Sequence, residues 1–203
     1  MMTLPCSPVF SLCVLWDMLV ALALMLTPVI VYAAGWDIDQ LMHGLSQTRS
    51  DHASFTEKKY IAMLEEPVES SGELFYTAPD YLEQRTLKPK PESMILDHET
   101  LVFERGRQKH NLQLQDYPEL AAYIDSIRGT LAGDRKALER SYQLNLDGTI
   151  EHWTLQLLPV DKKMQAVVKH IRIAGVGYTV RSIEITQTDG DSSLMLIERM
   201  AAP

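Results

Sequence analysis

A rhythm of short apolar–polar alternations, broken once by a longer period, limits the architectures open to this chain. The stretch Asp51–Pro79, DHASFTEKKYIAMLEEPVESSGELFYTAP, sets the rhythm. Residues 53–64 read as a strand, residues 65–72 as a turn and residues 73–77 as the returning strand. Leu74 and Tyr76 alternate there with Glu73 and Phe75, so one face is kept apolar. Further strand signals follow at short intervals. Residues 81–87 come after the turn-forming Pro79. Residues 93–96 and 101–105 form a hairpin around Asp97-His98-Glu99, and residues 107–114 follow Gly106. In the second half, residues 141–146 and 151–158 flank Asp147-Gly148, a strong two-residue hairpin signal. Residues 167–174 come next, and residues 180–186 and 193–198 flank Asp189-Gly190.

The period changes twice. Asp37 can cap a helix over residues 37–48, with Ile38, Leu41, Met42 and Leu45 on one face and a weakening Gly44 inside it. Midway, Asp116-Tyr117-Pro118-Glu119 resembles a capping box with Pro in the first turn. Leu120, Ile124, Ile127 and Leu131 then form an apolar helical stripe, which breaks at Ala132-Gly133 before a short helix capped by Asp134. The sum is roughly ten or eleven strands joined by tight turns, hence mostly antiparallel. So wide a sheet must curl, split or close. The expected fold is mainly β: a strongly curved, half-open antiparallel barrel with an N-terminal helix and a mid-chain helical lid, enclosing an apolar pocket.

Residues 1–33 read as an export signal and residues 34–203 as one domain. The apolar run ends in Val31-Tyr32-Ala33, so cleavage is expected after Ala33 or Ala34, and its uninterrupted core is shorter than the roughly 20 residues of a membrane-spanning helix. Both cysteines, Cys6 and Cys13, lie in this segment, which leaves the exported chain without a disulfide framework or a thiol nucleophile. The formal net charge of the whole chain is −8, and the segment contains Asp17 but no Lys or Arg. An acidic chain with no basic cluster denser than Lys162-Lys163 is ill suited to nucleic acid or anionic membrane surfaces. The expected compartment is a bacterial periplasm.

Reaction chemistry finds little support. Gly44-Leu45-Ser46-Gln47-Thr48 lacks the second Gly of a nucleophile elbow. The six histidines (43, 52, 98, 110, 152 and 170) show no metal-ligand spacing, and Asp189-Gly190-Asp191 is explained by a hairpin turn. No catalytic residue, metal or cofactor is assigned.

Four segments carry a resemblance to a known family. They are His52-Ala53-Ser54-Phe55-Thr56-Glu57-Lys58, Gly72-Glu73-Leu74-Phe75-Tyr76 leading into Pro79, Glu92-Ser93-Met94-Ile95-Leu96-Asp97, and Thr100-Leu101-Val102-Phe103. In order and spacing, over about residues 37–105, they resemble the LolA-type periplasmic lipoprotein carriers, and the insertion at 116–139 falls where those carriers place their covering helices. The stretch 127–134 and Leu138-Glu139-Arg140 are more similar to a divergent branch associated with fatty-acid-like or aryl-polyene lipid pathways. The main branch has an Arg latch directly before the Pro matching Pro79; here that residue is Ala78, and Arg85 is the candidate substitute donor, set against a plain solvated strand arginine.

The resemblance implies a monomeric carrier that binds acyl chains of a lipoprotein or lipid-like product without chemistry. It also implies an inner-membrane transporter and an outer-membrane acceptor as partners. The residues expected to line the cavity are Phe55, Leu74, Tyr76, Leu82, Ile95, Leu101, Phe103, Ile124, Ile127 and Leu131; for each one taken singly, ordinary core packing is the competing explanation. A lipid-sensing module of the same fold, signalling to a membrane partner, is the alternative reading. An acyl hydrolase is a third, with no residue to assign to it.

Overall fold

The computed structural model describes residues 36–200, so the proposed export signal lies outside the described residues. Eleven strands form one antiparallel sheet: β1 (Ser50–Tyr60), β2 (Val68–Thr77), β3 (Tyr81–Lys88), β4 (Glu92–Asp97), β5 (Thr100–Arg105), β6 (Gln108–Gln113), β7 (Tyr142–Thr149), β8 (His152–Pro159), β9 (Val168–Val176), β10 (Thr179–Gln187) and β11 (Ser192–Arg199). Their spatial order is β6-β5-β4-β3-β2-β1-β11-β10-β9-β8-β7. This is an up-and-down meander in which the first and last strands pair, Phe55 opposite Ile197, and the two free edges are the sequence neighbours β6 and β7. The connection between those edges, residues 114–141, carries two helices and must cross the open side.

Four α-helices are described: α1 (Ile38–Leu45), α2 (Pro118–Ala132), α3 (Arg135–Glu139) and α4 (Lys162–Gln165). Asp37 caps α1 as expected, its Oδ1 accepting from the Gln40 N–H at 2.9 Å, and Asp134 caps α3 through the Ala137 N–H at 2.9 Å. Gly133, at φ 66°, ends α2 in the left-handed region, where its missing side chain also lets the backbone approach Met42 and Ser46 at the end of α1. Gly44 has a tertiary reason too: a Cβ there would strike the Tyr178 ring, so α1 gives up helix propensity to sit close to the sheet.

Several local expectations shift. The strand expected from residue 73 begins at Val68, because β1 and β2 stay paired out to Lys59 opposite Val68. Asp147-Gly148 is not the hairpin turn. The ladder continues through Gly148 opposite Trp153 and Thr149 opposite His152, so the turn falls on Ile150 and Glu151. Gly148, at φ 97°, is instead a local irregularity of edge strand β7. The capping box at 116–119 does not form. Asp116 closes a 3-10 turn (Leu114–Asp116), and the N-cap falls on Tyr117, whose side chain makes no capping hydrogen bond. The exposed Asp161-Lys162-Lys163 starts α4, with Asp161 accepting from the N–H groups of Lys163 and Met164. In β10 a register shift between Val180 and Ser182 reverses the alternation, which is why Val180 and Ile183 are both buried.

The core has two parts. The larger joins α1 (Leu41, Met42, Leu45), Leu138 and Tyr142 to Trp153, Leu155, Leu157, Ile171 and Ile173 of β8 and β9. The smaller joins Leu96, Leu101 and Leu114 to Ile124 of α2. Tyr123 of α2 packs against both. A flat sheet of this many strands, each about 4.8 Å apart, would be far wider than a helix of about 10–12 Å diameter. One helix reaching both halves therefore requires the sheet to wrap around it.

Candidate functional site: an apolar cavity beneath helix α2

Between the two core clusters lies a cavity of about 420 Å³. Its floor comes from the inward alternation of neighbouring strands: Tyr76 opposite Leu82, Leu82 opposite Leu96 and Leu96 opposite Leu101 make one row, and Leu74, Gln84, Met94 and Phe103 make the next. Ile124, Ile127 and Leu131 of α2 form its roof, and Val180, Ile183, Ile185, Met195 and Ile197 its far wall. Among the lining residues Ala53, Thr86 and Ser193 supply little side-chain volume, which leaves space. The volume falls in the roughly 300–1,000 Å³ range of small-molecule sites.

Eight of the ten residues expected to line the pocket do so: Leu74, Tyr76, Leu82, Leu101, Phe103, Ile124, Ile127 and Leu131. Phe55 and Ile95 do not. Phe55 is buried between Gly72 and Ile197 and lines neither of the cavities described here, and Ile95 pairs with Glu83 and Val102 on the face opposite Leu96. The far wall was missed by sequence reasoning. Val180 and Ile183 carry no single alternation that would mark them together, and only the register shift at Arg181 brings them to one side. A second cavity of about 440 Å³ adjoins the first, lined by Tyr60, Ile61, Leu120, Met164, Val168 and Gln187 among others.

The walls are not wholly apolar. The Tyr76 hydroxyl is buried and has no hydrogen-bond partner among the described residues. Burial, and then the charge of Asp80, push its pKa up against the pull of Arg49, so it is a neutral donor at neutral pH. Burial and the nearby Glu57 likewise raise the Tyr123 phenol far above its ordinary range. Burial raises Tyr142 most of all its influences, and its hydroxyl donates to the Ala122 carbonyl at 3.2 Å, tying β7 to the helix. Among the described residues no group of three or more His, Cys, Asp or Glu side chains is placed to hold a metal ion.

The roof is tied down at one end by Arg128. Its Nη1 donates to the His98 carbonyl at 2.9 Å, in the β4–β5 turn, and its Nη2 to Asp125 Oδ1 at 2.6 Å and Glu99 Oε1 at 3.3 Å. Asp80, beside Pro79 in the β2–β3 turn, lies 3.8 Å from Nη1. Arg85 is not part of this arrangement. It is half exposed, pairs with Glu83 at 2.7 Å and lies 5.0 Å from the Phe75 ring centroid, on the face opposite Leu82 and Thr86. Ala78 is occupied otherwise, its N–H donating to the Arg49 carbonyl at 2.9 Å.

An unclosed antiparallel sheet wrapped round an apolar cavity, with helices across its open side, defines a fold of the lipoprotein-carrier type. The chain belongs to the outer membrane lipoprotein carrier protein LolA-like family, whose model matches residues 31–202, and within it represents a divergent LolA-related branch. Solved structures with a similar fold include a LolA superfamily protein from Nitrosomonas europaea, at 8% identity and TM-score 0.41, covering 83% of this chain and 96% of that one. The Pseudomonas aeruginosa MucA/MucB complex matches at 12% identity and TM-score 0.47, covering 83% of this chain and 59% of that one. A putative outer membrane lipoprotein-sorting protein domain from Vibrio parahaemolyticus matches at 11% identity and TM-score 0.41, covering 82% and 92%. No curated protein matches the sequence. Among the described residues, no helix is long and apolar enough to cross a membrane.

Proposed function

We propose that this protein is a periplasmic carrier that holds an acyl chain of a lipoprotein or lipid-like product in the cavity beneath α2 and shuttles it toward the outer membrane. The observation that carries this reading is the split core: α2 spans two apolar clusters and leaves about 420 Å³ of apolar space between them. Burying an acyl chain there is worth about 0.8 kcal/mol per methylene. Leu74, Tyr76, Leu82, Leu101, Phe103, Ile124, Ile127 and Leu131 contact the chain, and α2 moves to admit and release it. In this reading residues 1–33 are removed on export, the carrier works as a monomer, and an inner-membrane transporter and an outer-membrane acceptor load and unload it.

The test is titration of the purified protein with diphenylhexatriene, a neutral polyene, alongside native mass spectrometry for co-purified lipid. Saturable one-to-one uptake is expected, and Ile127→Trp, which fills the cavity roof, abolishes it while the far-UV circular dichroism is unchanged. Absence of both probe uptake and bound lipid in a folded protein refutes the reading.

A further inference from the structure

Among the Asp, Glu, Lys, Arg and His side chains of the described residues, Glu57 is the one in the buried class, at 6% exposure. Strand alternation places it there: Ala53, Phe55 and Glu57 share the inward face of β1, all three buried. Its register neighbours are Ser70 on β2 and Met195 on β11. A carboxylate in an apolar wall is expensive unless each oxygen is hydrogen-bonded. Only one of them is. Oε2 accepts from Ser70 Oγ at 3.2 Å and lies 3.3 Å from Lys59 Nζ. Oε1 accepts from no described residue and, unlike the Tyr76 hydroxyl, is not sealed from its surroundings, so it opens onto the space that Glu57 lines.

The position matters as much as the charge. Glu57, Lys59 and Tyr123, with Ile185 and Ser193, line both the first cavity and the second, so these five form the partition between them. The first cavity also contains the Tyr76 row, in register with Asp51. Six residues of strand separate that row from Glu57, about 20 Å at the usual rise per residue. Three other carboxylates line the first cavity, Asp51, Glu83 and Glu92, but each is only partly buried and paired with an arginine (Arg199, Arg85 and Arg105), so Glu57 is its buried polar station, with a second cavity beyond it.

We infer that Glu57, with Lys59 and Tyr123 beside it, is a headgroup seat, and that the natural ligand is an amphiphile whose polar end donates hydrogen bonds from nitrogen, an ammonium or an amide. The tail lies in the first cavity, the nitrogen donates to Glu57 Oε1, and the rest of the polar portion enters the second cavity. A carboxylate or phosphate at the same place would meet the Glu57 charge in a poorly screened setting. Lys59 offers it little compensation, because that ammonium is already paired with Glu57 and about half exposed. This inference rests on the carrier reading and adds the chemistry of the ligand to it.

The experiment is displacement of bound diphenylhexatriene by dodecylamine, N-methyldodecanamide and dodecanoate at neutral pH, all below their micellar concentrations. The wild type is expected to bind the amine and the amide about ten- to a hundredfold more tightly than the carboxylate, the span of a buried hydrogen bond to a charged acceptor. Glu57→Gln keeps the shape of the wall and should bring the ligands within about threefold of one another, each affinity taken relative to the variant's own affinity for diphenylhexatriene. A purely structural Glu57 would alter stability and leave selectivity intact. Equal binding of amine and carboxylate by the wild type overturns the inference without any variant, as does an unchanged preference in Glu57→Gln. Failure of the polyene itself to bind is a different result, and removes the carrier reading beneath it.

Discussion

Replacing Arg128 with Met should loosen the cover over the cavity without unfolding it. The pair with Asp125 is internal to α2, three residues away, and persists whether the helix is down or lifted. What spans helix and sheet is the bond to the His98 carbonyl at 2.9 Å, the contact with Glu99 at 3.3 Å and the longer approach to Asp80 at 3.8 Å. Glu99 is 64% exposed, so its pairing is worth at most about 1 kcal/mol and is screened by salt. A hydrogen bond from a charged donor is worth about 1.5–3 kcal/mol, and the Arg128 side chain is only 16% exposed, so this bond carries most of the tie. Taken together, with allowance for partial solvation, the loss is about 2 kcal/mol. That corresponds to about a thirtyfold shift between closed and open cover.

Met preserves the aliphatic packing of the Arg stem, which isolates the polar contribution. Stopped-flow transfer of diphenylhexatriene from the protein to excess vesicles should be about ten- to thirtyfold faster in Arg128→Met, and amide exchange across α2 should accelerate in parallel. A release rate and an α2 exchange profile both within twofold of the wild type, in a variant with native circular dichroism, would refute the tie. The main branch of the family has its latch on the strand side before the proline. Here Ala78 carries no donor side chain, and the cation comes from the helix to meet the same turn through Asp80.

Gly44→Ala should gain about 1 kcal/mol of helix propensity and lose more through the clash with the Tyr178 ring. A net loss of about 1–2 kcal/mol would lower Tm by about 2–8 °C, and in a Tyr178→Ala background the same substitution should become neutral or stabilising. His170 should make the fold acid-sensitive. Burial, then the charge of Arg172 with a smaller push from Lys169, lowers its pKa below the usual 6.5, against the opposing pull of Glu184. The unfolded chain therefore binds this proton at higher pH than the folded one, and stability falls as pH drops from 6.5 through the folded value. Denaturant titrations at pH 7.5 and 5.5 should show a smaller decrease for His170→Gln than for the wild type; equal decreases would count against it.

Much of the architecture was legible locally. Strand count, antiparallel pairing, the side-chain helix caps at Asp37 and Asp134 and the break at Gly133 follow from alternation, turn chemistry and capping, which act over a few residues. Eight of ten lining residues were legible too, because inward alternation on β2–β5 and the stripe on α2 each mark a face. Phe55 and Ile95 show the limit of that signal. Phe55 is packed too tightly to face open space, and Ile95 is apolar on the wrong side of β4.

What only the tertiary structure decided depends on register between segments far apart in sequence. Asp147-Gly148 has the composition of a turn, yet pairing with Trp153 and His152 carries the ladder past it, since each added pair satisfies backbone groups that a shorter hairpin would leave open. The shift at Arg181 reverses a face, which no pattern in residues 180–186 discloses. Glu57 sits in a charged stretch, Glu57-Lys58-Lys59, that reads as solvated. Joining the two halves of the sheet by pairing β1 with β11 sets it between Ser70 and Met195 and turns an ordinary strand glutamate into a buried polar station of the cavity. The sequence by itself determined the elements and their apolar faces; the wrapping of the sheet around α2 decided which faces meet and where space is left between them.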